Sequence, residues 1–197
     1  MSKTIFRETL HLVIIVLTAV LCLSLVYELT KDRIASAEEN DRIKSYKTVF
    51  AEAEVFEDAG IAPVTVSDGI SVDAVLLAKN QAGRTAGYVL SLTTSLGYGG
   101  NIVASVGVDL QGKITGMTVT SMSETPALGA KCTESDWQAQ FAGIGEFPIV
   151  YVKGGRASGN EIDAISGATT TTKAIVGLVN AAHEDVASNL LNGGAET

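Results

Sequence analysis

At 197 residues the chain has room for one domain and an appendage. Its 22 acidic against 14 basic residues give a formal net charge of −8, and the surplus lies outside the first thirty residues, where Lys3 and Arg7 balance Glu8 and Glu28. That acidity argues against binding nucleic acid or clinging to an anionic membrane surface. The cysteines, Cys22 and Cys132, fall in different parts of the chain and are not expected to pair, and neither has metal-ligand spacing. His183 has no second histidine nearby and reads as a surface residue of a helix rather than a ligand or general base.

The first element is the appendage. Residues 10–29, LHLVIIVLTAVLCLSLVYEL, are apolar on every helical face. As a helix this stretch spans roughly 30 Å, the thickness of a bilayer's hydrocarbon core. It predicts a membrane span at about 10–29 within an anchor covering 1–34. The competing reading is a signal peptide cleaved near Ala35-Ser36-Ala37. The apolar run exceeds the roughly 7 to 15 residues of a signal's core, and the candidate site lies well past its end, so an uncleaved anchor is expected. Lys31, Arg33, Arg42, Lys44 and Lys47 outnumber Lys3 and Arg7, which leans the large domain towards the cytoplasm. Long domains cross membranes largely regardless of charge, so the count leaves the side open.

Residues 35–60 are expected to form a helical connector, with Ile43, Tyr46, Val49, Phe50 and Ala53 at helical spacing to about residue 58. The domain proper, 61–197, opens with strand patterns at 72–79, 87–93, 102–109 and 114–120. Between the last two, Leu110-Gln111-Gly112-Lys113 reads as a hairpin turn, with glycine where positive φ is needed. Strands in close succession predict an antiparallel sheet with helices packed on it, an α+β fold. Two glycine-bearing loops, 96–102 and 123–131, punctuate the strands. A helix at 134–142 and a strand at 147–153 follow. A final helix at 168–191 carries an apolar stripe of Ile175, Val179, Ala182, Val186 and Leu190.

That last helix begins with four threonines, Thr169 to Thr172, more than capping requires of a stiff, β-branched residue. At about 100° per residue, Thr171 and Thr172 fall near the apolar stripe, while Thr169 and Thr170 fall on its flanks. Thr169 also lies in the first turn, where unpaired N–H groups and the dipole attract an anion. Two readings stand: a phosphate held at this turn over Gly167, or a plain helix start capped by Ser166 with solvated threonines.

Three motifs bring a resemblance. Asp163-Ala164-Ile165-Ser166-Gly167-Ala168-Thr169 resembles the D-x-x-[ST]-G-A-T flavinylation motif. The 123–131 loop, SETPALGAK, resembles the ETPGLG loop, and Gly97-Tyr98-Gly99-Gly100 the GYGG loop, of the bacterial FMN-binding domain family. All three stand in family order, and with the N-terminal span they cover nearly the whole chain. The likeness is closest to the G subunits of Rnf-type electron-transport complexes; the C subunits of sodium-translocating NADH:quinone reductases are similar but usually longer. Ala127 departs from the pattern, which has glycine there.

The resemblance implies that Thr169 carries FMN through a phosphoester to its Oγ, with Ser166, Gly167 and Ala168 shaping the approach. It implies that Asp163 serves the modifying flavin transferase, which uses FAD and Mg²⁺. Tyr98, Gly99, Gly100, Glu124, Thr125, Leu128 and Gly129 are expected to line the flavin. It further implies a non-autonomous component of a membrane-bound, ion-translocating ferredoxin:NAD⁺ oxidoreductase, relaying electrons among integral-membrane and iron–sulfur partner subunits. Its flavin domain would lie on the extracytoplasmic side of the cytoplasmic membrane. The alternatives are a free-standing, membrane-anchored FMN carrier and a C-type reductase component. No set of acid, base and nucleophile appears in the chain, so no substrate chemistry is expected of it alone.

Overall fold

The computed structural model describes residues 2–156 and 158–186. Two compact units divide between Asp41 and Arg42. The first is helical, the larger part of α1 (Ser2–Val49). Its stretch Phe6–Lys31, 26 residues whose most apolar 18-residue part has a mean hydropathy of 2.6 and is wholly unburied, is long and apolar enough to cross a membrane. Two of its hydroxyls are satisfied locally: those of Thr18 and Thr30 each donate at 2.8 Å to the carbonyl four residues back, of Ile14 and Val26. Glu28 pairs with Lys31 one turn on.

The second unit is an α+β domain. Its strands are β1 (Val55–Asp58), β2 (Val64–Ser67), β3 (Ile70–Lys79), β4 (Thr85–Thr94), β5 (Ile102–Asp109) and β6 (Ile114–Met122). They form one antiparallel sheet in the order β1-β3-β4-β5-β6, with β2 also paired to β3. Alternation along β4 explains how the sheet is covered on two faces. Val89 points into a cluster with Tyr46, Val49, Phe50 and Ala53 from the end of α1 and the turn after it. Leu90 and Leu92 belong to the main core beneath α3 (Thr169–Asp185). Of the expected stripe on α3, Ile175, Val179, Ala182 and Val186 are buried in that core, and Leu190 lies outside the described residues.

After β6 the chain makes a 3₁₀ turn (Gly129–Thr133), the short α2 (Ser135–Gln138) and a second 3₁₀ turn (Ala139–Phe141). A parallel pair, β7 (Val150–Val152) and β8 (Glu161–Asp163), then leads into α3. The β5–β6 turn is built as its residues suggest. Gly112 has φ 80°, and the Asp109 carboxylate accepts the N–H groups of Gln111 and Lys113 at 2.9 and 2.8 Å.

The helical connector expected over 35–60 is corrected at its end. Helix α1 stops at Val49, and residues 55–58 are a strand along β3, with Val55 opposite Lys79 and Asp58 opposite Leu76. Ladder groups along β3 would otherwise lack a partner, and pairing them outweighs the helix propensity of this charged run. The expected strand at 147–153 shrinks to three residues, and the helix at 134–142 is half 3₁₀.

Candidate functional site

At the start of α3 the expected Ser166 cap is not formed. Its N-cap is Ala168, at φ −131° and ψ 52°, and no side chain caps it; Ser166 is exposed and bonds none of the first-turn amides. Thr172 and Thr171 turn inward, 0% and 1% exposed. The Thr172 hydroxyl donates to the Ala168 carbonyl and accepts the N–H of Ile165, both at 3.0 Å, which folds the preceding turn against the helix. Thr171 donates at 2.6 Å to Oε2 of Glu124. Thr169 is left half-buried and Thr170 exposed, beside an uncapped helix end. Gly167, at φ 79°, makes the turn into that end; a side chain there would meet Leu128 at 3.1 Å.

Glu124 ties this helix to both loops. It is 6% exposed, and its Oε1 accepts the N–H of Gly99 at 3.0 Å. Glycines make room for it: a Cβ at Gly129 would sit 2.2 Å from Oε2, and one at Gly97 would sit 2.7 Å from Oε1. Gly99 is packed so tightly that a Cβ would lie 2.0 Å from the Ser123 carbonyl oxygen.

Three clefts open around this junction, and Thr169 is on the wall of each. The first, about 460 Å³, is lined by Tyr98, Glu124, Thr125, Leu128 and Gly129 from the two loops and by Gly167 through Thr171. The second, about 380 Å³, runs from Lys153 and Gly154 to Ala164, Ile165, Ser166 and Gly167. The third, about 510 Å³, follows the side of α3 past Leu96, Thr170, Lys173 and Asn180. Tyr98 (76% exposed) and Leu128 (44%) stand at the mouth of the first cleft.

The residues expected at a flavin site are therefore largely brought together, with named exceptions. Gly99 and Gly100 line none of the three clefts; Gly99 serves by its N–H to Glu124. Asp163 also lies off the clefts. Its backbone N–H donates to Gln140, its carbonyl accepts the Trp137 indole, and its carboxylate accepts the N–H of Gly155 at 2.9 Å. Thr171, Lys153, Lys173 and Leu96 carry no motif that marks them in the sequence as site residues. Only the inward position of Thr171 was legible, from helical periodicity.

Among the described residues, two titratable groups have shifted environments. Burial, and then the negative charge of Glu124, push the buried Cys132 thiol up to about 11. His183 is not the plain surface residue expected, for its ring stacks on Phe147 at a centroid distance of 3.5 Å. Burial holds it below the usual histidine value, partly offset by Glu184.

Residues 97–184, which include the whole wall of the first cleft, match a family described as "FMN-binding domain", and residues 1–49 match one described as "RnfG N-terminal region". The chain is 31% identical over 187 residues to the G subunit of the Na⁺-translocating ferredoxin:NAD⁺ oxidoreductase complex of Acetobacterium woodii, covering 90% of this chain and 89% of that one. It is 30% identical over 192 residues to the G subunit of the ion-translocating oxidoreductase complex of Methanosarcina acetivorans, covering 95% and 97%. The chain belongs to the RnfG family. Among solved structures, NqrC of Shewanella oneidensis matches at a TM-score of 0.51 and 25% identity, over 56% of this chain and 54% of that one. The C subunit of the Na⁺-translocating NADH-quinone reductase of Parabacteroides distasonis matches at 0.50 and 24%, over 64% and 65%, a likeness of fold. In the RnfG family the threonine-led helix and its two loops thus belong to the FMN-binding half of the chain, and α1 to the RnfG-type N-terminal region.

Proposed function

We propose that the chain is the electron-carrying RnfG component of a membrane-bound, ion-translocating ferredoxin:NAD⁺ oxidoreductase, and that its FMN is joined to Thr169 by a phosphoester. The observation that carries this reading is the place of Thr169, half-buried at an uncapped helix start and on the wall of all three clefts.

The residues fit the group. The first cleft is within the range of about 300–1,000 Å³ usual for cofactor-sized ligands, with apolar Tyr98 and Leu128 beside polar Thr125, Glu124 and Thr171. The N–H groups of the first turn and the helix dipole favour a phosphate beside Thr169, and Gly167 lets backbone come close. Thr169 Oγ would form the bond to phosphorus as its hydroxyl proton is released, the FAD pyrophosphate bond breaks and AMP leaves, in a step run by a flavin transferase with Mg²⁺. Asp163 would be presented to that enzyme. FMN, when bound, supplies the electron transfer; the chain's residues orient it and set the field around it. No acid–base pair of the chain is needed for that task.

We further propose that α1 anchors the protein in the cytoplasmic membrane, that the flavin domain is extracytoplasmic, and that its partners are integral-membrane and iron–sulfur subunits. Intact mass tests the linkage: protein made with the transferase should gain FMN less water, and Thr169→Ala should not. An unmodified wild-type mass would overturn it. For the assembly, the test is purification from native membranes in mild detergent. A multi-subunit complex whose ferredoxin:NAD⁺ activity collapses in Thr169→Ala supports the reading. A lone flavoprotein, with that activity intact in the variant, points instead to a free-standing carrier.

A further inference from the structure

Among the described residues, Glu124 carries the one formally charged side chain on the wall of the first cleft. A buried carboxylate is costly unless its oxygens are satisfied, and both of these are: Oε1 accepts from Gly99 and Oε2 from Thr171. The two groups that meet it, a backbone N–H and a hydroxyl, can both donate, so each carboxyl oxygen has a donor facing it. Its seat is built as well, since side chains at Gly97 and Gly129 would occupy the space of its oxygens. The three segments it joins, residues 97–100, 123–131 and the first turn of α3, supply the wall of this cleft together with Gly167 and Ala168, and Thr171 lies two residues beyond Thr169. Nothing in the resemblance assigns the carboxylate more than contact with the flavin.

We propose that Glu124 is a positioning residue that also sets the flavin's redox potential. Its carboxylate clamps the three segments together, and its fixed negative charge opposes the negative charge that reduction brings into the cleft, holding the potential low. This rests on the reading that the flavin occupies the first cleft. Coulomb interaction across a few ångströms of partly buried site is large enough to move the ratio of oxidised to reduced flavin by about tenfold or more at a fixed ambient potential.

The test uses the full chain, flavinylated and purified in detergent, titrated spectroelectrochemically. Glu124→Gln keeps the shape and an acceptor for the Gly99 N–H but removes the charge, and its midpoint potential should shift positive by at least that tenfold equivalent. Glu124→Asp keeps the charge and shortens the reach; its potential should lie closer to wild type than that of Glu124→Gln, while its thermal midpoint falls. A merely structural role predicts the reverse, with Gln tolerated silently. A loaded Glu124→Gln protein with an unmoved potential overturns the inference. Should that variant carry no flavin, Thr171→Val is read in its place, since losing the hydroxyl that holds Oε2 must move the potential too, and no movement there is equally fatal. A wild-type chain of unmodified mass would instead sink the flavin reading itself.

Discussion

Ala127 has φ 62°, a left-handed conformation that no other non-glycine residue adopts among those described. A Cβ there is strained by about 1–2 kcal/mol, partly offset because alanine restricts the unfolded chain more than glycine does. Ala127→Gly should therefore stabilise the protein by about 0.5–1 kcal/mol, seen as a higher thermal midpoint; a lower one would show that the loop is not strained. His183 gives a pH-dependent prediction. Its folded value is depressed, so as pH falls the unfolded chain takes up the proton first. Its share of stability is complete above the ordinary histidine value of 6.5 and is lost as pH falls from there towards the folded value. His183→Phe preserves a ring against Phe147, so its thermal midpoint should fall less than wild type's between pH 7.5 and 5.5; parallel curves would refute the assignment. Cys132, buried and with its thiol raised to about 11, should resist maleimide at pH 8 until the protein is denatured. Labelling of the native protein at that position would contradict its burial.

The end of α1 is seated on the sheet through two glycines. A Cβ at Gly107 would lie 2.6 Å from the Val49 carbonyl oxygen and 2.3 Å from the Thr115 hydroxyl, and one at Gly116 would lie 3.0 Å from Val49 Cα. The Thr115 hydroxyl itself donates to that Val49 carbonyl at 2.5 Å. Gly107→Ala should therefore lower stability by about 1–3 kcal/mol by forcing α1 off its seat, measurable by denaturant or heat. At the other end of the domain, Thr172→Val keeps shape but strands the buried N–H of Ile165, a loss of about 1–3 kcal/mol. These elements differ in how far the sequence disclosed them. Strands β3 to β6 and α3 were legible because one face of each meets a continuous core, so their apolar residues repeat at 2 or 3.6. Strands β1, β2 and β8 were not, because they are three or four residues long and mostly exposed or polar; only pairing creates them. At the site, the motifs pointed to Thr169 and the two loops. Composition could not tell that Ala168 rather than Ser166 stands at the cap, nor that Glu124 is buried; the burial depends on contact with Thr171, 47 residues further along the chain.

For the molecule as a whole, the proposed extracytoplasmic domain predicts that protease added to intact spheroplasts cleaves it, and that protection until lysis would place it inside. The same scale brings out what an open first cleft entails. With Tyr98 and Leu128 exposed at its mouth, the cleft is open to solvent, and an open site buries less of a free ligand than an enclosed one. A cofactor joined at Thr169 does not bind from bulk solution. It binds from a local, effective concentration in the millimolar range for a short flexible link. A cleft with only about millimolar intrinsic affinity then stays substantially filled, and a ring that leaves it returns rather than diffusing away. Under the proposed linkage retention and orientation become separate tasks, the first for one oxygen of Thr169 and the second for loops free to remain shallow.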